Sequence, residues 1–464
     1  MKKTTKKRTT RKRGKASAED CEPPEGARAS TPKREKSSAR GTTKKANPVK
    51  RFLELLGPGL ITGASDDDPS GIGTYTSAGA ALGFATLWTA VVTLPLMAVV
   101  QYICAKVGMV SGMGLAGVLR ENYSKKLLYP ALGGLIIANT INAGTDIGAI
   151  AAAFNLFVPL PINAMIVPIA LIIVALQIWG SYRLIARIFK WLTLSLFAYI
   201  GAAFLAKPQW GEVLRATFIP HLSLDGKYLL TLVAILGTTI SPYLFFWEAS
   251  QEVEEEVSMG RTTLEARKGA TYAELRRAAW DTNIGMLFCN LVFYFVILAS
   301  AATLHASGKT EIGSAADAAR ALEPVAGRAA ALLFSLGIIG AGLLAVPVLT
   351  GSSAYAVAET FGWNCSLDAK PKDARHFYFI IALSTLVGIL IDFLGINPIK
   401  ALFWTAVING LISPPLLVII MLVSNNPKVM GKRVNNRATN LVGWTAAAIM
   451  FAAAIGMFLT WNKS

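Results

Sequence analysis

The stretch from Gly57 to Gly71 reads GPGLITGASDDDPSG, and an apolar run dotted with glycine continues from Ile72. Apolar sequence on both sides of the three acids indicates one membrane span, and Pro69 predicts that its helix is interrupted in mid-membrane. One ionised Asp at the centre of a membrane helix costs about 2.5 to 3.5 kcal/mol, so three adjacent acids need a cation, water or protonation to offset them. The alternative is that the acids mark a helix end in a loop.

A second interruption is predicted in the sixth span, within residues 233–248. Pro242 removes a backbone donor and frees carbonyls one turn earlier. Thr238, Thr239 and Ser241 supply hydroxyls beside those carbonyls. A kink of this kind is common in membrane helices, but interrupted spans at corresponding places in two halves are typical of inverted-repeat transporters. Because each half holds five spans, the second half is inverted, and we expect the two breaks to meet near the midplane.

The composition predicts a membrane protein. The 464 residues are 53% hydrophobic and 16% charged, with a mean hydropathy of +0.48, whereas a soluble chain carries about 25% charged residues. Several apolar runs reach about 20 residues, which is long enough to cross the hydrocarbon core. Eleven candidate spans follow: residues 52–81, 84–107, 130–154, 160–180, 184–206, 228–249, 281–304, 329–357, 375–395, 401–424 and 440–461.

The net charge of +17 is concentrated at one end of the chain. Residues 1–51 hold 18 Lys and Arg against 5 Asp and Glu, with almost no large apolar side chains. We therefore expect residues 1–49 to be a disordered basic cytoplasmic tail near anionic lipid, and residues 50–464 to be the transmembrane domain. Nucleic-acid binding is not expected, since basic tails are usually solvated or face lipid.

The orientation follows from the loop charges. With the N-terminus in the cytoplasm, eighteen Lys and Arg fall in the cytoplasmic loops and adjoining span ends, against eight on the opposite side. The positive-inside rule favours this arrangement. We expect a multi-pass protein of the plasma membrane with a cytoplasmic N-terminus and an external C-terminus. The sequence does not set the oligomeric state and is compatible with a monomer.

Two segments resemble one family. Residues 68–71 (DPSG) resemble the Asp-Pro-Gly-Asn motif in the first helix of NRAMP divalent-metal transporters, and residues 237–243 (GTTISPY) resemble their Gly-Ala-Thr-Val-Met-Pro-His segment. The resemblance extends over about residues 50–460 and includes the eighth span, which is rich in small residues. It implies an all-α membrane protein with a leucine-transporter-type 5+5 inverted repeat, alternating access, and a metal site shared by helices 1 and 6.

The resemblance also implies which residues bind the metal. Asp68 matches the family's carboxylate, and Ser65 and Thr238 fall where backbone carbonyls contribute. Gly71 stands where the family has its metal-binding Asn, and Ser241 where it has its metal-binding Met. The expected metal site comprises Ser65, Asp67, Asp68, Gly71, Thr238 and Ser241, of which Asp67 is an additional acid without a required counterpart.

The loss of the two larger side chains decides the expected ion. Oxygen ligands without His, Cys or Met suit a hard cation, and a wider site leaves room for the water that Mg²⁺ gives up reluctantly. The pattern is similar to the NRAMP-related magnesium transporters. We expect uptake of hydrated or partly hydrated Mg²⁺, with Mn²⁺ also accepted as substrate and no cofactor.

Proton coupling in the family involves acidic residues on the third helix and a His after the sixth-helix Pro. Asp146 remains here, but the family's Glu falls on Ala149 and its His on Tyr243. We therefore expect transport with weak or no proton coupling. Asp146, Tyr243 and Glu248 are the candidates for a proton or gating path.

Other functions stay open or are disfavoured. The nearest alternative is a proton-coupled Mn²⁺/Fe²⁺ NRAMP transporter that tolerates Ser241. A sodium-coupled amino-acid carrier is disfavoured because three adjacent acids would repel a substrate carboxylate. A membrane metal sensor without flux is not excluded. An enzyme is not expected, since the sequence has no glycine-rich phosphate loop and no HExxH motif.

Overall fold

The computed structural model describes residues 58–180 and 194–460, and all regular secondary structure in those ranges is helical. The helices are α1 (Pro58–Asp66), α2 (Pro69–Leu82), α3 (Trp88–Ser111), α4 (Leu115–Asn122), α5 (Lys125–Asn155), α6 (Ile162–Trp179), α7 (Ala198–Leu205), α8 (Trp210–Phe218), α9 (Gly226–Thr239), α10 (Pro242–Ser258), α11 (Leu264–Arg267), α12 (Tyr272–Ser300), α13 (Ala315–Ala319), α14 (Glu323–Ala326), α15 (Ala330–Phe361), α16 (Arg375–Ile389), α17 (Pro398–Ser424), α18 (Pro427–Met430) and α19 (Arg437–Thr460).

The predicted spans correspond to this helix order. Within the described ranges, nine helical stretches are long and apolar enough to cross a membrane, and they match nine of the eleven predicted spans. The first span is the pair α1 and α2, and the fifth, predicted at 184–206, is described only from Leu194. The predicted tail at 1–49 lies outside the described residues, so its disorder stays a prediction.

Both predicted interruptions are confirmed. The chain leaves the helical conformation between α1 and α2, where Asp68 is extended (φ −70°, ψ 167°). It does so again between α9 and α10, where Ser241 is extended (φ −78°, ψ 133°). Pro69 and Pro242 are the first residues of the helices that follow, a position where a missing backbone N–H carries no penalty. The same prolines that break each span therefore start its second half.

Glycines hold both broken helices close to their neighbours. A Cβ placed on Gly63 of α1 would lie 2.3 Å from the Gly285 carbonyl oxygen of α12. A Cβ on Gly237 of α9 would lie 2.1 Å from the Ala406 carbonyl oxygen of α17. Small residues at helix crossings are how membrane helices gain packing without a hydrophobic driving force. These contacts fix the two breaks relative to the surrounding bundle.

The outer helices present large apolar side chains to their surroundings. Trp179 of α6 is 78% exposed and Leu459 of α19 is 76% exposed, and many neighbours on these faces are similar. By contrast, α15 is buried along most of its length. Exposed apolar faces of this extent are typical of a surface covered by lipid.

Candidate metal site

Asp68 is the best-fixed acid at the first break. Its Oδ1 accepts hydrogen bonds from the backbone N–H of Gly71 (2.6 Å) and from Oγ of Ser70 (2.7 Å), so the side chain caps α2. Its Oδ2 accepts a hydrogen bond from Nδ2 of Asn142 on α5 (2.9 Å). Asp68 is 1% exposed. The carboxylate is therefore held in one orientation by three donors.

Gly71 lies between the two breaks. A Cβ added there would lie 3.1 Å from Oγ1 of Thr238 and 3.4 Å from Oδ1 of Asp68. Thr238 is buried, and its hydroxyl finds no hydrogen-bond partner among the described residues. An acid from α2's N-terminus and a hydroxyl from the end of α9 thus face each other across a position without a side chain.

Hydroxyl groups donate hydrogen bonds to the carbonyl oxygens that the breaks expose. Ser241 donates its Oγ hydrogen to the Thr238 carbonyl oxygen (2.8 Å) and lies near that of Gly237 (3.2 Å). The Tyr243 hydroxyl donates to the Ser65 carbonyl oxygen (2.8 Å), which joins the two broken helices directly. In this conformation the two backbone carbonyls that the sequence pointed to each accept one hydroxyl.

The other two acids of the first break face a different helix. The Cys289 thiol of α12 lies 3.0 Å from Oδ2 of Asp66 and 3.5 Å from Oδ1 of Asp67. Both acids are buried, at 0% and 3% exposed. The structure therefore separates the three adjacent acids, with Asp68 directed to α5 and its neighbours directed to α12.

Two of the remaining predicted residues lie on either side of this centre. Asp146 is fully buried on α5, one turn after Asn142. Glu248 is fully buried on α10, where its Oε2 accepts a hydrogen bond from the Thr62 hydroxyl of α1. Glu248 thus lies on the N-terminal side of the first break, away from Asp146.

Sequence reasoning missed Asn142 and Cys289. Asn142 had a signal, since it precedes Asp146 by four residues and shares its helix face. Cys289 had none, because its contact with Asp66 spans 223 positions and depends on how α12 packs against α1.

Charge at the centre is uncompensated by protein cations. The ion pairs formed within the described ranges lie elsewhere, at Arg261, Arg277, Lys309 and Arg320. In those same ranges, no three His, Cys, Asp or Glu side chains are grouped to hold a bare metal ion. Buried carboxylates without a protein counter-ion attract an external cation.

Comparison with known proteins gives a family model, described as natural resistance-associated macrophage protein-like, that matches residues 59–460. The divalent metal cation transporter MntH of Klebsiella pneumoniae is 26% identical over 402 residues, covering 86% of this chain and 92% of that protein. The protein of the same name from Mycobacterium tuberculosis is 26% identical over 406 residues, covering 87% and 90%. These relatives are named as transporters, which agrees with the expectation that the chain is not an enzyme.

Solved structures give the same fold. The manganese transporter of Eremococcus coleocola superposes with a TM-score of 0.69 at 18% identity, covering 91% of this chain and 88% of that one. Mhp1, a nucleobase-cation-symport-1 family transporter, superposes with a TM-score of 0.53 at 14% identity, covering 88% and 93%. At such identities the likeness speaks for the fold alone, and it confirms the predicted inverted-repeat transporter architecture.

Proposed function

Because the chain belongs to the natural resistance-associated macrophage protein-like (Nramp) family, we propose that it carries divalent metal cations into the cell by alternating access. Mg²⁺ is the main ion of this proposal, and Mn²⁺ is also accepted. The membrane is the plasma membrane, with the N-terminus cytoplasmic and the C-terminus external, as the loop charges favour.

The observation that carries the choice of ion is the set of oxygens beside Gly71. A Cβ at this position would lie 3.1 Å from Oγ1 of Thr238, 3.3 Å from Cε2 of Tyr75 and 3.4 Å from Oδ1 of Asp68, so the two oxygens lie close together. Ser241 adds another oxygen where the Nramp motif has a thioether. Carboxylate and hydroxyl oxygens on this side of the break favour a hard cation such as Mg²⁺, and the sulfur of Cys289 lies on the other side, against Asp66 and Asp67.

In this proposal Asp68 supplies the charge that selects a cation, and Thr238 and Ser241 supply neutral oxygens. Ser65 contributes its backbone carbonyl once the Tyr243 hydroxyl releases it. Asp67 attracts the ion through its charge. It is not assigned a direct contact with the ion, because its carboxylate lies near Cys289 of α12. Gly71 allows Thr238 and Asp68 to lie close together.

The proposed transport is weakly coupled or uncoupled to protons. Tyr243 stands where the Nramp motif has a His, and its hydroxyl donates to Ser65 of α1. This contact suits a gate that links the two broken helices better than a proton carrier. A divalent cation is drawn inward by about 4.6 kcal/mol per 100 mV, twice the single-charge value, which makes a proton gradient unnecessary.

A proton-coupled Mn²⁺/Fe²⁺ transporter is the second candidate. Asp146 favours it, because this buried acid on α5 has no hydrogen-bond partner for either oxygen within the described ranges. Such a group could take up a proton during transport. Metal-dependent acidification of proteoliposomes that Asp146→Asn abolishes would establish coupling.

Influx into proteoliposomes tests the proposed ion. Mg²⁺, Mn²⁺ and Cd²⁺ entry would be measured with entrapped indicators for the native chain and for Asp68→Ala. Mg²⁺ influx that requires Asp68 and is matched by little Cd²⁺ influx supports the hard-cation proposal. Influx of Mn²⁺ and Cd²⁺ without Mg²⁺ would contradict it and favour the second candidate.

A further inference from the structure

A row of acids follows one face of α1 away from the central site. Starting at the break, Asp66 lies beside Cys289 of α12. One turn back, the Thr62 hydroxyl donates to Oε2 of Glu248 on α10. At the start of α1, the backbone N–H of Gly59 donates to Asp281 of α12 (2.7 Å). Positions 59, 62 and 66 share one helix face, so these contacts lie along a line.

The acids of this row are buried. Glu248 is 0% exposed, and Glu252, which follows it by one turn on the same face of α10, is 5% exposed. Neither forms an ion pair with a Lys or Arg of the described ranges. Two like charges one turn apart repel each other, and burial increases that repulsion.

Glu248 also has an unused oxygen. Its Oε1 is buried and finds no hydrogen-bond partner in the part of the chain that the structure describes. The Oδ1 of Asp66 is in the same condition. A buried carboxylate oxygen without a donor is costly unless a cation or water meets it. The row therefore contains two oxygens that are suited to a passing ion.

The row ends at an acidic mouth. A cavity of about 50 Å³ is lined there by Pro58, Glu252, Glu256, Arg261, Asp281 and neighbouring side chains. Arg261 pairs with Glu256 at the end of α10 (3.0 Å) and with Glu274 at the start of α12. With the proposed orientation this mouth faces the cytoplasm, and in this conformation Arg261 and Arg277 line it together with the acids.

We propose that Glu248 and Glu252 form a second binding station for the hydrated divalent cation, on its way from Asp68 to the cytoplasm. Thr62 contributes a hydroxyl oxygen, and Asp281 leads to the mouth. The station rests on the proposed transport function. In alternating access the ion must leave the central site once that site opens to the cytoplasm, and a second, weaker site beside the exit path would receive it as it leaves Asp68.

The test separates this station from the central site. Mg²⁺ influx into proteoliposomes would be measured over a range of external concentrations for the native chain, Glu248→Gln, Glu252→Gln and Glu248→Asp. Glu254→Gln is the matched control, because Glu254 lies on the same helix but accepts its hydrogen bonds from Tyr355 and Ser366 (3.0 and 3.1 Å). Binding of Mg²⁺ to each purified protein would be measured by calorimetry.

We expect the maximal influx rate and KM to fall together, each about tenfold, in both Gln variants at the row, while the central binding affinity stays nearly unchanged, because release and not capture is impaired. Glu248→Asp keeps the charge and should recover most of the rate, and Glu254→Gln should resemble the native chain. Should Glu248→Gln not fold, Glu252→Gln decides by itself.

Native rates in both Gln variants, or an equal loss in Glu254→Gln, would overturn the station and leave the proposed function intact. Failure of the native chain to carry any divalent cation would overturn both, and the native measurement alone reveals that case.

Discussion

At the scale of single residues, the proposed site depends on a side chain that is missing. Gly71 lets Oγ1 of Thr238, Cε2 of Tyr75 and Oδ1 of Asp68 come so close that a Cβ there would lie 3.1, 3.3 and 3.4 Å from them. These are tight contacts for a carbon atom. Any larger residue must therefore displace the groups that we assign to the ion.

Gly71→Asn should change the preferred ion. The amide would push Thr238 and Tyr75 aside and offer a direct ligand, so the ion must lose more water, which Mg²⁺ resists more strongly than Mn²⁺. We expect Mg²⁺ influx to fall about tenfold while Mn²⁺ influx is largely kept. The influx ratio of the two ions measures this. Gly133→Ala is the control, because no atom lies within 4 Å of a Cβ there, and an unchanged ratio in Gly71→Asn would contradict the assignment.

Asn142→Leu should weaken metal binding without touching the metal. The change removes the 2.9 Å hydrogen bond that orients Oδ2 of Asp68, and a buried acceptor left without its donor costs about 1 to 3 kcal/mol. We expect KM for Mg²⁺ to rise about tenfold. Asn139→Leu, one turn earlier on α5, removes hydrogen bonds to Leu349 and Ser353 instead. Asn139→Leu should lower the melting temperature but leave KM unchanged. Equal KM values in Asn139→Leu and Asn142→Leu would argue against the role of Asn142 in orienting Asp68.

The sequence predicted Asp68 and Gly71 as site residues because both belong to a short motif that is read locally. It did not predict the separation of Asp66 and Asp67 from Asp68. That separation follows from backbone direction: the chain is extended at Asp68, so this carboxylate turns back to cap α2 while the two preceding acids face Cys289. Contacts of this kind require the position of α12, which no local pattern supplies.

At the scale of helices, the two breaks were predictable because proline acts locally. Pro69 and Pro242 each end one helix and start the next wherever the surrounding chain lies. Packing was not predictable in the same way. The close approach of α1 to α12 depends on Gly59, Gly63 and Gly285 meeting at one crossing, and the sequence shows only that each helix contains small residues.

Gly285→Ala should push α1 away from α12. Its Cβ would lie 2.2 Å from the Gly59 carbonyl oxygen, so the helices must separate, at about 1 to 3 kcal/mol for an overpacked contact. We expect a lower melting temperature in detergent and a loss of influx, since the acids that face α12 lose their register. In Gly134→Ala the nearest atom, of Ile412, lies at an ordinary 3.4 Å. Equal melting temperatures for the native chain and Gly285→Ala would mean that the crossing is looser than described.

At the scale of the whole molecule, acidic and basic side chains differ in how deep they lie within the helix bundle. Acids line the centre and the face of α1, whereas Lys and Arg are concentrated in the loops that we assign to the cytoplasm. The overall class, the number of spans and the order of helices were predictable, because they depend on hydropathy and length alone. The direction of transport and its driving force depend on the membrane potential as well as on the chain.

An inside-negative potential should by itself drive Mg²⁺ accumulation. For a divalent ion, 100 mV is worth about 4.6 kcal/mol, or a concentration ratio of roughly two thousand at equilibrium. Proteoliposomes with a potassium diffusion potential set by valinomycin, and with equal pH on both sides, would be compared at 0 and −100 mV. If transport is uncoupled, Mg²⁺ rises inside only when the potential is applied, and the internal pH stays constant. If the interior instead acidifies in step with Mg²⁺ entry when no proton ionophore is present, each transport cycle also carries a proton. Asp146 on α5 would then be the first residue to replace.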